Sequence, residues 1–219
     1  MEINPFPNLT EIHEYSSEIL QKILNSRSGR DLKLILDDEQ LEKYRMNTDR
    51  YHQLNLTITK EQLQSYIASG LISEDGSFNE RMPDQESTAT KLLYAFLWKQ
   101  GDLQKVKYIV QGITGYEPVP ESGMVLYYFG KHLADKKHPI IDQHVIRAFA
   151  MASFKEEFNV GLLTKKDKEN ILAYIGWFQH SLPPEISNSE DCRYQVDQVL
   201  YALGKRIKKD FELVFQKIY

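Results

Sequence analysis

FGKHLADKKHPIIDQHVIRAF, residues 129–149, is the stretch that decides how this chain is read. Pro139 holds His138 extended and stops the preceding helical pattern from running on. Ile140 and Ile141 are apolar plugs for a core. Asp142 then stands where a helix starts, and Val145, Ile146 and Phe149 recur at the spacing of one buried helical stripe. A carboxylate at that position accepts from first-turn amides and meets the positive end of the helix dipole. The stretch therefore predicts two helices, a tight bend and an anchored acid at the second helix's start.

Working outward, helical signals dominate. Thr10 caps a helix through about Asn25, with Ile12, Ile19, Leu20, Ile23 and Leu24 as its apolar face. Thr59 and Gln62 have capping-box spacing, and Gly70 supplies a stop. Residues 87–100, STATKLLYAFLWKQ, are apolar almost all round, which predicts a central helix buried on several sides. Gly101–Asp102 breaks it and caps the next, striped by Leu103, Val106, Ile109, Val110 and Ile113. Further helices are expected over 121–135, over 143–154, and after a Thr164 cap. From Val196 to Ile218 apolar residues recur in steps of three and four. That pattern suits one long helix or two collinear ones, with Gly204 as a weak point. Strand signals are thin: LKLIL (32–36) and LNLTI (54–58) alternate well enough to pair as a small two-stranded ribbon. The expected fold class is all-α, a single helical domain over 1–219. Within it, residues 1–80 form an acidic helical subdomain and 86–219 the body.

Composition sets outer limits. The chain has 219 residues, 42% hydrophobic and 26% charged, enough for a substantial core. Its 27 basic and 31 acidic side chains give a net charge of −4. Residues 1–110 hold 13 basic and 17 acidic groups, leaving 14 of each in the second half. The charge is not that of a strongly basic nucleic-acid binder, so any such binding rests on local clusters. One cysteine, Cys192, excludes an intrachain disulfide and a four-cysteine metal site. No apolar run reaches membrane-spanning length. The start, MEINPFPNLTEIHEY, lacks the basic and apolar regions of a targeting peptide, so a cytoplasmic location is the expectation. Walker, GxGxxG, GxSxG and HExxH motifs are absent.

The pattern Pro139-Ile-Ile-Asp142-Gln-His144-Val-Ile-Arg147 resembles the signature that opens the catalytic helix of the helix–hairpin–helix DNA glycosylase superfamily (HhH-GPD). The resemblance covers roughly residues 87–160. It implies an all-α fold and extrusion of a damaged or mispaired base from double-stranded DNA, followed by cleavage of its N-glycosidic bond. It makes Asp142 the catalytic carboxylate, stabilising positive charge on the sugar as the base leaves. Tyr127, Tyr128 and His144 would shape the base pocket. Ser122 and Gly123 of the hairpin, with Lys131, Lys136, Lys137 and Arg147, would contact nucleic acid. The family's hairpin is glycine-rich. Here Tyr116 to Tyr127 keeps one glycine and carries Glu117 and Glu121. No lysine stands where a Schiff-base nucleophile would, so hydrolysis without lyase activity is implied. The iron–sulfur cysteines of some relatives are missing, and no cofactor or metal is expected. A second phrase, Arg193 to Lys205, is similar to a C-terminal helix of uncharacterised bacterial glycosylase-like proteins.

Plainer readings stand beside these. Asp142 is a helix cap by default. His132, His138, Asp142 and His144 lack ligand spacing. The aromatics Tyr127, Tyr128, Trp98, Trp177 and Phe178 suit a core. Arg193 and Asp197, four apart, read as a helix-surface ion pair. The lysines at 165–168 and 205–209 read as solvated or, at a helix start, as a hint of an anionic partner. The alternative function is a non-catalytic helical module that binds a protein partner or nucleic acid. Oligomeric state is not legible.

Overall fold

The computed structural model describes residues 9–49, 53–79, 86–153, 163 and 167–216. Among these the regular elements are all helices: α1 (Leu9–Asn25), α2 (Gly29–Leu36), α3 (Glu39–Glu42), α4 (Lys60–Ala68), α5 (Thr88–Gln100), α6 (Leu103–Thr114), α7 (Met124–Ala134), α8 (Gln143–Ser153), α9 (Lys168–His180), α10 (Pro184–Ser187) and α11 (Glu190–Gln216). The chain is mostly helical, as its periodicity requires. One isolated antiparallel bridge, Ile72 to Phe78, is the extent of β pairing among the described residues. The chain divides into two compact units, 1–54 with 141–219, and 55–140. The stretch expected to form an acidic subdomain, 1–80, contributes to both.

In the first unit α8 is the central element. Residues Val145 to Ala152 are all buried, and α1, α9 and α11 pack around it. Its C-terminal carbonyls are satisfied from α1: His13 Nδ1–H donates to Met151 O at 2.6 Å, and Ser17 Oγ–H to Ala152 O at 2.9 Å. α11 runs unbroken through Gly204. That glycine is a contact point and not the weak point its helix propensity suggested. A Cβ there would lie 1.9 Å from the His144 carbonyl oxygen of α8. Only a bare Cα lets these two backbones approach so closely.

The second unit is built on α6 and α7, which run antiparallel as a helical hairpin. A Cβ on Gly112 would meet Tyr127 O at 1.9 Å, and one on Gly130 would meet Ile109 O at 2.1 Å. The Thr59–Gln62 capping box forms as its spacing predicts and opens α4. Gly70, at φ 77°, follows α4 in the left-handed conformation the stop required. Gly101, at φ 73°, ends α5 in the same way.

Three expectations are corrected. Residues 32–36 are the second half of helix α2, so no ribbon forms with 54–58. Leu32, Ile35 and Leu36 are its buried residues, a three–four spacing that LKLIL satisfies as well as a strand's alternation. Ser28 tips the balance by accepting from Asp31 N as an N-cap. Second, α5 is not central: it has no buried residue, and Leu92, Leu93, Phe96 and Trp98 are 59–67% exposed. It packs on α6. Tyr94, half-buried, meets Phe78 edge-on with ring centroids 5.4 Å apart. Apolarity on every side gave no amphipathic face from which to judge burial. Third, Arg193 and Asp197 are buried, not on the surface. The proposed Thr164 cap lies outside the described residues.

Gly204→Ala is expected to cost about 1–3 kcal/mol or more through backbone overlap with α8. Gly176→Ala in α9, where nothing lies within 4 Å of the added carbon, should instead gain roughly 0.5–1 kcal/mol. Urea denaturation midpoints of the two variants, moving in opposite directions, check this pair.

Candidate functional site around Asp142

Asp142 follows the buried Ile141 and caps α8. Its Oδ1 accepts from His144 N at 2.7 Å, and its carbonyl accepts from Ile146 N at 3.0 Å. The residue is half-buried. Among the described residues Oδ2 accepts no hydrogen bond. One oxygen is thus committed to the fold and the other is available.

His144, two residues on, is half-buried and its ring meets Tyr201 of α11 edge-on, centroids 4.9 Å apart. Its Nδ1 lies 2.8 Å from Arg147 Nη1. Arginine carries only donors, so Nδ1 is the acceptor. Arg147, one turn further along α8, also donates from Nη1 to Gly204 O at 3.1 Å. Lys205 Nζ sits 5.5 Å from the Tyr201 ring centroid. Burial pushes the His144 pKa below the ordinary 6.5. Asp142 opposes that shift, Arg147 and Lys205 reinforce it, and the Gly204 carbonyl opposes it slightly. The arrangement is a carboxylate oxygen and a neutral imidazole at the start of one buried helix.

Below this layer lies a second polar contact. Tyr174 OH donates to Asp197 Oδ1 at 2.8 Å, with both side chains buried. Burial first, and then Asp197, hold the Tyr174 pKa well above its usual value. Further along α11, Arg206 Nε donates to Asp210 Oδ2 at 3.2 Å, both almost fully enclosed. Arg206 Nη1 also donates to Gln40 O at 3.2 Å. Its guanidinium carbon lies 5.1 Å from the Tyr15 ring centroid. Within the 205–209 cluster Arg206 is therefore a core group, while Lys208 pairs with Glu212 at 3.8 Å.

Of the residues chosen from sequence, Asp142 and His144 come together. Arg147, expected to contact nucleic acid, is 2% exposed and turned inward. The rest lie in the second unit. Tyr127, expected in a base pocket, is fully buried. Its hydroxyl donates to Tyr116 O at 2.9 Å and lies 3.4 Å from Glu117 Oε1. Burial, then Glu117, push its pKa up to about 12. Tyr128 is buried edge-on against Tyr127. Ser122 is exposed, its Oγ 3.0 Å from Tyr108 OH. Gly123, at φ 81°, opens α7 with no side-chain cap. A Cβ there would fall 2.2 Å from the Tyr108 ring. Lys131 Nζ lies 5.4 Å from the Tyr127 ring centroid. Lys136 is half-buried and Lys137 exposed. His132 Nδ1–H donates to His138 O at 2.7 Å, which tightens the bend before Pro139.

The sequence reading missed Tyr201, Lys205 and the Arg147–His144 hydrogen bond. The i, i+3 spacing of His144 and Arg147 was the one available signal. Elsewhere in the first unit a cavity of about 570 Å³ is lined, among the described residues, by Leu9, Thr10, His13, Glu14 and Ser17 of α1. It includes none of the residues chosen from sequence. Among the described residues no group of three metal-ligating side chains converges. No helix of the described residues is long and apolar enough to cross a membrane.

No protein-family model, no curated protein and no solved structure matches this chain.

Two outcomes follow from this geometry. Asp142→Ala should cost about 1 kcal/mol by removing the α8 cap, while Asp142→Asn should cost only a few tenths. Denaturation midpoints check the difference. The depressed His144 pKa means the unfolded chain binds its proton first as pH falls. Stability should therefore rise with pH between the lowered folded value and about 6.5. His144→Gln should remove that part of the slope. His138, whose pKa burial also lowers, contributes with the same sign and remains in the variant.

Proposed function

We propose that this chain is a DNA glycosylase-like protein that hydrolyses the N-glycosidic bond of a damaged or mispaired base, without lyase chemistry. The observation that carries this reading is the divided carboxylate of Asp142. Oδ1 is bound by its own helix, and Oδ2 accepts no hydrogen bond among the described residues, at a half-buried position. A fixed anion of that kind can stabilise the positive charge that develops on a deoxyribose as the base departs. It can equally orient the water that attacks the anomeric carbon. The bond to the base breaks, water supplies the new oxygen, and the base leaves with its electron pair and a proton.

Further support comes from the second unit. α6 and α7 form a tight helical hairpin closed by a loop over 115–123, and α7 begins at a glycine without a side-chain cap. Such a turn leaves backbone N–H groups for phosphate oxygens. Ser122, Gly123 and Lys137 are the hairpin-unit residues expected to touch duplex DNA. Tyr127 and Tyr128 act as packing and hold the hairpin's shape.

The deciding experiment incubates the full chain with duplex oligonucleotides carrying uracil, hypoxanthine, 8-oxoguanine, 3-methyladenine or a mismatch. The expected result is an abasic site opposite an intact strand, with strand cleavage only after alkali. Asp142→Asn, which preserves the cap, should lower excision by about 10²–10³-fold. Absence of product on every lesion, from protein shown to be folded, removes the enzyme reading.

A second reading, a non-catalytic binding module, is favoured by one specific observation. α5 carries Leu92, Leu93, Phe96 and Trp98 at 59–67% exposure and has no acidic residue. Leu92, Leu93 and Phe96 share one face of the helix, and an exposed apolar face of that kind suits a protein partner. Binding to duplex DNA that weakens steeply with salt would favour nucleic acid as the ligand. Binding to protein that is insensitive to salt and lost in Phe96→Ser would favour the module.

A further inference from the structure

We infer that Arg147 is a positioning residue: from inside the core it fixes His144 as a neutral imidazole with its proton on Nε2, a hydrogen-bond donor two residues from Asp142. The role of that donor toward DNA rests on the glycosylase reading above; the locked tautomer itself does not.

The geometry is one-directional. Arg147 is 2% exposed and sits on α8 one turn after His144. Its Nη1 is 2.8 Å from His144 Nδ1 and 3.1 Å from Gly204 O. A guanidinium has no acceptor, so the short contact exists only while Nδ1 keeps its lone pair. In the neutral ring the proton is then on Nε2. Protonating Nδ1 would set two N–H groups against each other at hydrogen-bond distance inside a packed core. The position of Arg147 is itself over-determined. Gly204 admits α11 so close to α8 that its carbonyl reaches the guanidinium, and no side chain larger than glycine leaves that space.

The groups around the ring pull in both directions. Asp142 lies at the start of α8, Arg147 on its inner side, and Lys205 with Tyr201 on the facing α11. Two cations, Arg147 and Lys205, oppose a third charge on His144, and one carboxylate, Asp142, favours it. Glu212 of α11 and Asp142 stabilise the Arg147 charge. The Gly204 carbonyl, the last of the influences on the ring, also favours the charged form. A neutral donor on the same first turn as the Asp142 carboxylate suits a ligand atom that is an acceptor, such as a sugar, phosphate or base oxygen. It does so without bringing another cation to a place where the developing charge is positive.

The test uses long-range ¹H–¹⁵N correlation spectra of the full chain labelled at histidine, with His144 assigned by its loss in His144→Gln. The expected spectrum has His144 Nδ1 as the unprotonated, pyridine-type nitrogen and Nε2 as the protonated one, persisting below the pH at which exposed histidines titrate. In Arg147→Met the ring should populate both tautomers and titrate at higher pH. Arg147→Lys, which restores one donor, should return part of the bias. A wild-type ring protonated on Nδ1 and donating to Gly204 O would overturn the inference. So would a folded Arg147→Met with unchanged tautomer and titration. If Arg147→Met does not fold, the wild-type tautomer decides alone. On any oligonucleotide the wild type excises, Arg147→Met should lower kcat and move the acid limb of its pH profile upward. If no oligonucleotide is excised, the spectra still decide the tautomer and only the glycosylase reading falls.

Discussion

The close crossing of α8 and α11 at Gly204 is the constraint on which the first unit depends. With a Cβ excluded at 1.9 Å from His144 O, the two backbones lie nearer than side chains ordinarily permit. That approach has two consequences. It brings the Gly204 carbonyl within 3.1 Å of Arg147 Nη1, so the buried cation finds a backbone acceptor there. It also sets the first turn of α8 against Tyr201 and Lys205. The position of Asp142 is therefore not a loop property. It is the end of a helix clamped on its inner side, so the carboxylate is held by the core and not by the segment that precedes it.

Buried polarity is concentrated along the same helix. Going down α11, Asp197 accepts from Tyr174, Gly204 accepts from Arg147, and Arg206 meets Asp210 and Gln40. Each is a contact between α11 and a residue elsewhere in the unit or one turn away. A polar atom left unpaired in these places costs about 1–3 kcal/mol. The contacts therefore specify register more than they add stability. A shift of α11 by one turn would bring Leu200 or Lys208 to the crossing with α8 in place of Gly204 and part Asp197 from Tyr174 and Arg206 from Gln40. Burial pushes the Asp210 pKa up while Arg206 beside it pulls the other way.

Much of the fold was legible because its signals are local. Thr59 and Gln62 are three apart, and the box they predict forms. Gly101 and Asp102 break α5 from α6 where the sequence says they should, but the Asp102 side chain pairs with Lys105 and makes no cap hydrogen bond. Asp142 caps α8 at the helix start that its motif predicts. What failed were readings that need the third dimension. LKLIL fits a strand and a helix equally over five residues, and the Ser28 cap that decides between them lies outside the run. The apolar residues of α5 said nothing about which side meets α6. Gly204 looks like a defect in a one-dimensional propensity sum and is a contact point in space. Arg193 and Asp197 have surface-pair spacing and are buried, because Ser187 O and Tyr174 reach them from other elements. In the candidate site, Asp142 and His144 were accessible from their motif. Tyr201 and Lys205 were not, since nearly sixty residues separate them from His144.

The same distinction explains why Arg147 changes meaning between sequence and structure. An arginine five residues after a candidate catalytic acid, on a helix that begins at that acid, invites a phosphate contact. Its place on α8, however, is set by the helical period: 144, 147 and 148 share a side, and that side is the one closed by Gly204. A cation on the inner face of a clamped helix cannot reach a ligand. It can act only on what it touches, and it touches the one titratable ring in the first turn. The charge is thus converted into orientation: a buried guanidinium, unable to recognise anything outside, determines which nitrogen of His144 carries the proton. The chemical character of the outer surface beside Asp142 is written from within the core.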